Sequence, residues 1–184
     1  ILLANDDGIF SEGLAALEEH MQPLGVLYVV APDRERNATS HKISLKRPIY
    51  VNPEGKNRFS TSGTPADCVN IGIHRLLPAR PDLVVSGINN GSNLAGDIGY
   101  SGTVGAAREA RLLGVPSIAF SLASRNPLFY DAAAHVARDL ARWVLSNGLP
   151  PEVFLNVNFP DLADGYPPTI RWTRMGHKFY GDFL

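Results

Sequence analysis

Short, almost uninterrupted apolar runs alternate along this chain with longer stretches in which apolar residues return at helical spacing. Residues 1–4, 26–31, 83–85, 117–122 and 153–157 are of the first kind and predict strands. Their lack of in–out alternation suits a sheet covered on both faces. Between them the helices have recognisable ends. Ser11 is placed to cap a helix running to Met21, with Gly25 closing the turn. Thr64-Pro65-Ala66-Asp67 puts a capping oxygen, a first-position proline and an early acid ahead of a helix through Leu77. A third helix opens at Ser101-Gly102-Thr103 and ends before Gly114-Val115-Pro116. From Phe129 onward, Ala133, Val136, Leu140 and Trp143 form one apolar helix face, which places Trp143 in the core. The alternation predicts one α/β domain over residues 1–184 with a mainly parallel sheet. Residues 43–62 break the rhythm and predict extra strands or a hairpin, and the pattern weakens after Pro160.

The polar positions then gather at one edge. In open α/β sheets, ligands bind beyond the carboxyl ends of the strands. Asn5-Asp6-Asp7-Gly8 lies there after the first strand, "APDRERNATSH" (31–41) after the second, and "SGINNGSN" (86–93) in a loop after the strand that begins near Asp82. Adjacent carboxylates in a crevice need a cation, or one of them takes up a proton. Asp-Gly alone is an ordinary turn signal, but three convergent loops favour a hard divalent cation. Asp6, Asp7, an amide oxygen of Asn89 and an oxygen from the Asn37 loop make a sensible set of ligands. The zinc-type His–Glu and Cys patterns are missing.

Ser101, Gly102 and Thr103 open a helix whose free N–H groups and dipole suit an anion. Simple capping would explain them in isolation; beside a metal loop a phosphate site is favoured. Metal and anion cradle together suggest phosphoryl transfer, in which the cation neutralises charge and acidifies water. A covalent aspartyl route fits less well. The position where a receiver domain carries its phospho-accepting acid holds Asn89, and the Asp-x-Asp phosphatase pattern fails at adjacent Asp6 and Asp7. Direct attack by metal-activated water, with Asp6 assisting as base, is the expected mechanism.

Composition narrows the partners. The chain is 45% hydrophobic and 19% charged, with a formal net charge of -1. That balance speaks against nucleic acid polymers and anionic membranes as main partners. No apolar run approaches the roughly 20 residues that span a bilayer. The chain opens on Ile1 with no visible leader, and the start without Met implies a missing upstream residue. A single cysteine, Cys68, excludes an internal disulfide and suggests a reducing cytoplasm; on its helix it reads as a buried apolar group. His41 reads as a hydrogen-bonding loop histidine, Asp97 and Tyr100 as pocket-lining or solvated loop residues, and Phe179 and Tyr180 as interface aromatics.

Taken in order, "NDDG", "APDRER", "GTPADCV", "DLVVSGINNGSN" and "YSGTVGAAREA" resemble the SurE (survival protein E) acid phosphatases and nucleotidases from Ile1 to about Arg174. The resemblance implies a Rossmann-like three-layer fold and a cytoplasmic, metal-dependent phosphatase of nucleoside 5′- and 3′-monophosphates. It implies one divalent cation per subunit, Mn²⁺ or Mg²⁺. The family's metal ligands fall on Asp6, Asp7 and Asn89, and its phosphate-side residues on Ser101, Gly102 and Thr103, with Gly8 beside them. The fourth ligand, usually a serine, falls on Asn37; Thr39 and Ser40 are alternatives. Family members continue past Leu184, so the C-terminal arm is expected to be truncated, and a homodimer or homotetramer is expected where the arm is complete. The rivals are a non-catalytic nucleotide- or metal-sensing module of the same fold and a broad-specificity acid phosphatase or exopolyphosphatase.

Overall fold

The computed structural model describes residues 1–123, 129–160 and 169–178. Seven strands, β1 (Leu2–Ala4), β2 (Tyr28–Pro32), β3 (Val51–Gly55), β4 (Arg58–Thr61), β5 (Val84–Asn90), β6 (Ser117–Leu122) and β7 (Leu155–Phe159), join in the order β3-β4-β2-β1-β5-β6-β7. Every pairing is parallel except that of β3 with β4. The helices are α1 (Glu12–Met21), α2 (Pro65–Ile71), α3 (Gly102–Leu112) and α4 (Tyr130–Asn147).

The strand pattern dictates the layers. Successive residues of β1 point to opposite faces. Leu3 packs with Leu14, Leu17 and Met21 of α1 and with the alanines of α4. Leu2 and Ala4 pack instead with Cys68 and Val69 of α2 and with Ala106 and Ala110 of α3. Leu2, Leu3, Leu14 and Leu17 are fully buried, and burial of each such side chain contributes about 1.5–3 kcal/mol. Two helical layers thus sandwich the sheet, as expected. The chain runs from β1 outward to β2 and β4, then returns to β5 on the other side of β1. The strand order therefore reverses between β1 and β5, and a crevice opens there at their carboxyl ends.

Several expectations shift. The run at 43–62 does contain the expected hairpin, which forms the edge of the main sheet with β4 parallel to β2. The helix from Thr64 ends at Ile71 and continues only as a π-helical turn, Gly72–Leu76. Residues 86–90 are not loop: β5 extends through Asn90, with an irregular register against β6 between Ser86 and Asn89. Trp143 is 50% exposed, because α4 meets α1 and the sheet through Ala133, Ala134, Ala137, Ala141 and Val144. Residues 169–178 are exposed and without regular secondary structure; Phe179 and Tyr180 lie outside the described residues. Among the described residues, no helix is long and apolar enough to cross a membrane.

Candidate active site

The Asp6–Asp7 turn is built by its neighbour Asn5, to which the sequence reading gave no role. Asn5 is fully buried and donates through Nδ2 to Gly8 O (2.9 Å) and Ser11 Oγ (2.7 Å). Its Oδ1 accepts from Gly8 N at 3.3 Å. Gly8 sits at φ 103° against the backbone of Arg34, a conformation that only glycine adopts without strain. A polar residue buried directly after an apolar strand was the available signal.

Asp6 is 3% exposed. Its Oδ1 accepts from the hydroxyl of Thr103 at the start of α3, and the same hydroxyl lies 3.2 Å from Asn89 Oδ1. Asn89 Nδ2 donates to Gly91 O at 2.7 Å, which turns its amide oxygen toward Asp6. Asp7 accepts on Oδ2 from Asn90 N at 3.2 Å. Between β1 and β5 the Thr103 hydroxyl thereby joins Asp6 to Asn89, with Asp7 beside them on the backbone of Asn90.

Helix α3 is fitted to this cluster. Ser101 caps it, its Oγ accepting from Val104 N at 3.1 Å. A Cβ on Gly102 would stand 2.9 Å from Asp6 Oδ2 and 2.9 Å from Thr39 Oγ1, so those two oxygens fill the space a side chain would take. The N–H groups of Gly102 and Thr103 favour the ionised form of Asp6. The positive end of α3 therefore serves an anion of the protein itself, a use the sequence had assigned to phosphate alone.

The electrostatics of the pair are one-sided. Burial pushes the Asp6 carboxyl above its usual range, against the opposing hydrogen bonds from Thr103 and Gly102. Asp7 is pushed up to about 6, first by burial and next by the charge of Asp6, with Glu35 adding to it. Among the described residues, no Lys, Arg or His forms an ion pair with either carboxylate. No group of three or more His, Cys, Asp or Glu side chains among them has metal-binding geometry. The donor set is two carboxylates, an amide oxygen and hydroxyls. That chemistry fits a small, hard divalent cation rather than zinc.

The loop after β2 closes the site from the other side. Arg36 N donates to Asp6 O at 2.7 Å, and Ser40 N donates to Tyr100 O at 2.8 Å. Asn37 is exposed and donates its Nδ2 to Glu35; no hydrogen bond among the described residues joins it to Asp6, Asp7 or Asn89. His41 Nε2 lies 2.7 Å from Glu109 Oε2, the structural role expected of it, while Glu109 Oε1 accepts from Asn70 Nδ2 at 2.9 Å. "GTPADC" is likewise structural. Thr64 and Asp67 form a reciprocal capping box, and Asp67 Oδ1 also accepts from Ser44 N at 2.9 Å. Cys68 is fully buried, and burial pushes its thiol up to about 12, which leaves it inert. Tyr100 is 63% exposed, and Asp97 is paired with Lys178 Nζ at 2.5 Å.

The family model described as "Survival protein SurE" matches residues 1–182. The chain belongs to the SurE family. It is 55% identical over 183 residues to a protein of Geotalea daltonii named 5′-nucleotidase SurE, covering 98% of this chain and 73% of that one. To the 5′-nucleotidase SurE of Pelobacter propionicus it is 50% identical over 188 residues, covering 100% and 75%. The crystal structure of the SurE protein from Aquifex aeolicus superposes with a TM-score of 0.84 at 45% identity, covering 88% of this chain and 66% of the other. The chain thus spans about three quarters of those curated relatives and 66% of the solved one. Membership agrees with the three-layer fold.

Proposed function

We propose that this SurE-family chain is a metal-dependent phosphomonoesterase that hydrolyses nucleoside 5′- and 3′-monophosphates to nucleoside and phosphate. One observation carries the reading: Asp6, buried, and Asp7, partly buried, are adjacent at the end of β1 with no ion-pair partner among the described residues, where β5 and the start of α3 add neutral oxygens. The curated relatives that carry the name 5′-nucleotidase support the substrate class.

In this proposal Asp6, Asp7 and Asn89 hold one Mn²⁺ or Mg²⁺ per subunit. When bound, that ion supplies neutralisation of phosphoryl charge and a more acidic water. The protein's own groups do the rest. Asn5 and Gly8 hold both carboxylates at the mouth of β1. Thr103 and Gly102 favour the ionised form of Asp6 against the effect of burial, Thr103 fixes its Oδ1, and Asp6 is the proposed proton acceptor for the attacking water. Water adds to phosphorus as Asp6 takes its proton, and the ester P–O bond breaks. The leaving oxygen takes a proton from solvent so that the nucleoside departs as the alcohol, after which Asp6 returns its proton to solvent. Ser101, its lone pair engaged by the helix cap, is proposed to offer its O–H to a phosphate oxygen at the first turn of α3, with Gly102 next to it and Gly8 as a further substrate-side residue. On the family resemblance, the proposed setting is the cytoplasm and the proposed assembly a homodimer or homotetramer.

The test is phosphate release from AMP in the presence of Mn²⁺, with and without a chelator, and again with Asp6→Asn. Chelator-sensitive release that the variant lacks, with its fold intact, supports the proposal. No release from the native chain favours a sensing module, and equal release from unrelated phosphomonoesters favours a broad acid phosphatase.

A further inference from the structure

We propose that the hydroxyl of Thr39, rather than the amide of Asn37, is the fourth protein oxygen of the cation site in this chain; the proposal rests on the reading of Asp6, Asp7 and Asn89 given above. The geometry separates the two candidates. Thr39 Oγ1 and Asp6 Oδ2 both lie 2.9 Å from the point where a Cβ on Gly102 would stand. Thr39 therefore brings a hydroxyl oxygen to the carboxylate at the crevice. That hydroxyl donates its proton to Arg36 O at 3.1 Å, so its lone pairs remain to accept a cation. Asn37 instead is exposed, its Nδ2 donates to Glu35, and no hydrogen bond among the described residues ties it to Asp6 or Asn89.

The placement of Thr39 is imposed from several directions. Ala38 and Ser40, on either side of it, adopt left-handed backbone with φ 52° and 56°. Non-glycine residues hold that conformation only where their surroundings fix it. The surroundings do so here. Ser40 N bonds Tyr100 O at 2.8 Å and Ser40 Oγ bonds Gly99 O at 2.6 Å. The carbonyl of Ser40 packs against Gly105, where a side chain would collide with it. His41 then reaches Glu109 at 2.7 Å, and Asn70 holds the other oxygen of that carboxylate. Gly102, Gly105 and Glu109 share one stripe of α3. Residues 39–41 lie along that stripe, with Thr39 at the end nearest Asp6. Upstream, Arg36 N is tied to Asp6 O at 2.7 Å, so both ends of the short segment carrying Asn37 and Thr39 are fixed.

A hydroxyl here, in place of a longer amide, gives a compact all-oxygen set suited to a small hard ion. The experiment is calorimetric titration of the metal-free protein with Mn²⁺, beside its thermal unfolding, for the native chain, Thr39→Val, Thr39→Ser, Asn37→Ala and Asp6→Asn. Thr39→Val is expected to raise the Kd for Mn²⁺ by at least about tenfold, the scale on which even outer-shell partners of a metal change affinity. Its metal-free Tm should stay at the native value, Thr39→Ser should restore binding, and Asn37→Ala should bind as the native chain does. Should Thr39→Val fail to fold, Thr39→Ala removes the same oxygen in less space and is read the same way. Native-like binding by the Thr39 variants, or a tenfold loss in Asn37→Ala, overturns the proposal. So does equal weakening by Thr39→Val and Thr39→Ser, which marks a packing role. A flat trace for the native chain overturns the cation reading itself, and this proposal with it. Tight native binding that Asp6→Asn abolishes and Thr39→Val does not leaves the cation reading standing and removes only Thr39.

Discussion

Asp7 joins the physics of folding to the chemistry of the site. Its carboxyl is pushed from 3.8 to about 6 by burial and by Asp6. The folded chain therefore binds this proton more tightly than the unfolded chain does. Stability associated with protonated Asp7 is complete below about pH 4 and is lost as pH rises through about 6. The metal-free protein should accordingly lose stability across that window. Asp7→Asn keeps an acceptor for Asn90 N and removes the repulsion. Its metal-free form should gain on the order of 1 kcal/mol at about pH 8, after allowance for solvent screening. It should gain nothing near pH 4, and it should release little phosphate at either pH. Thermal unfolding at the two pH values checks this, and an unchanged Tm at both would show that the carboxylates do not repel in the folded chain. At this scale Asp6, Asp7 and the Ser101–Thr103 start of α3 were legible, because acids and small polar residues directly after apolar runs have few other uses. Thr39 was legible only as an alternative to Asn37, and Asn5 was not legible, since its contacts with Ser11 and Gly8 are not encoded in the local pattern.

Helix α3 is the element that assembles the site. Its first turn meets Asp6, its glycine stripe accepts the loop after β2, and Glu109, 7% exposed, ties that loop to Asn70 of α2. Removal of the Glu109 carboxylate leaves the His41 ring and the Asn70 amide without their partner in a half-buried setting. Glu109→Ala should lower unfolding free energy by about 1–3 kcal/mol. The shift should appear as a lower urea midpoint with an unchanged slope. No shift would mean that water replaces the pair without loss. The reach of elements was less legible than their presence. β5 runs on through Asn90 because β6 pairs with Asn89 and Asn90 beyond the irregular register, and that pairing is tertiary. On α4, Trp143 drew the apolar face toward itself, whereas the true contact face is made of alanines, whose weak hydrophobic signal suits close approach of α1.

For the whole molecule, the strand order makes the crevice, and the crevice explains why adjacent carboxylates are tolerated. β1 and β5 part where the winding reverses, so their carboxyl ends leave room beside the start of α3 for a ligand. The alternation of apolar runs and helical faces made this architecture readable in the sequence, because strands buried on both faces need helices above and below. The hairpin at the sheet edge was readable as strands but not in its partner, since β2 and β4 pair across a long stretch of chain. The central claim is that a hard divalent cation sits between Asp6, Asp7 and Asn89. Crystals soaked in Mn²⁺ and measured for anomalous scattering test it most directly. The expected map has one strong peak in the β1–β5 crevice, at about 2.0–2.6 Å from carboxylate oxygens of Asp6 and Asp7 and from the amide oxygen of Asn89. A peak elsewhere on the molecule, or an empty crevice at saturating Mn²⁺, would contradict it.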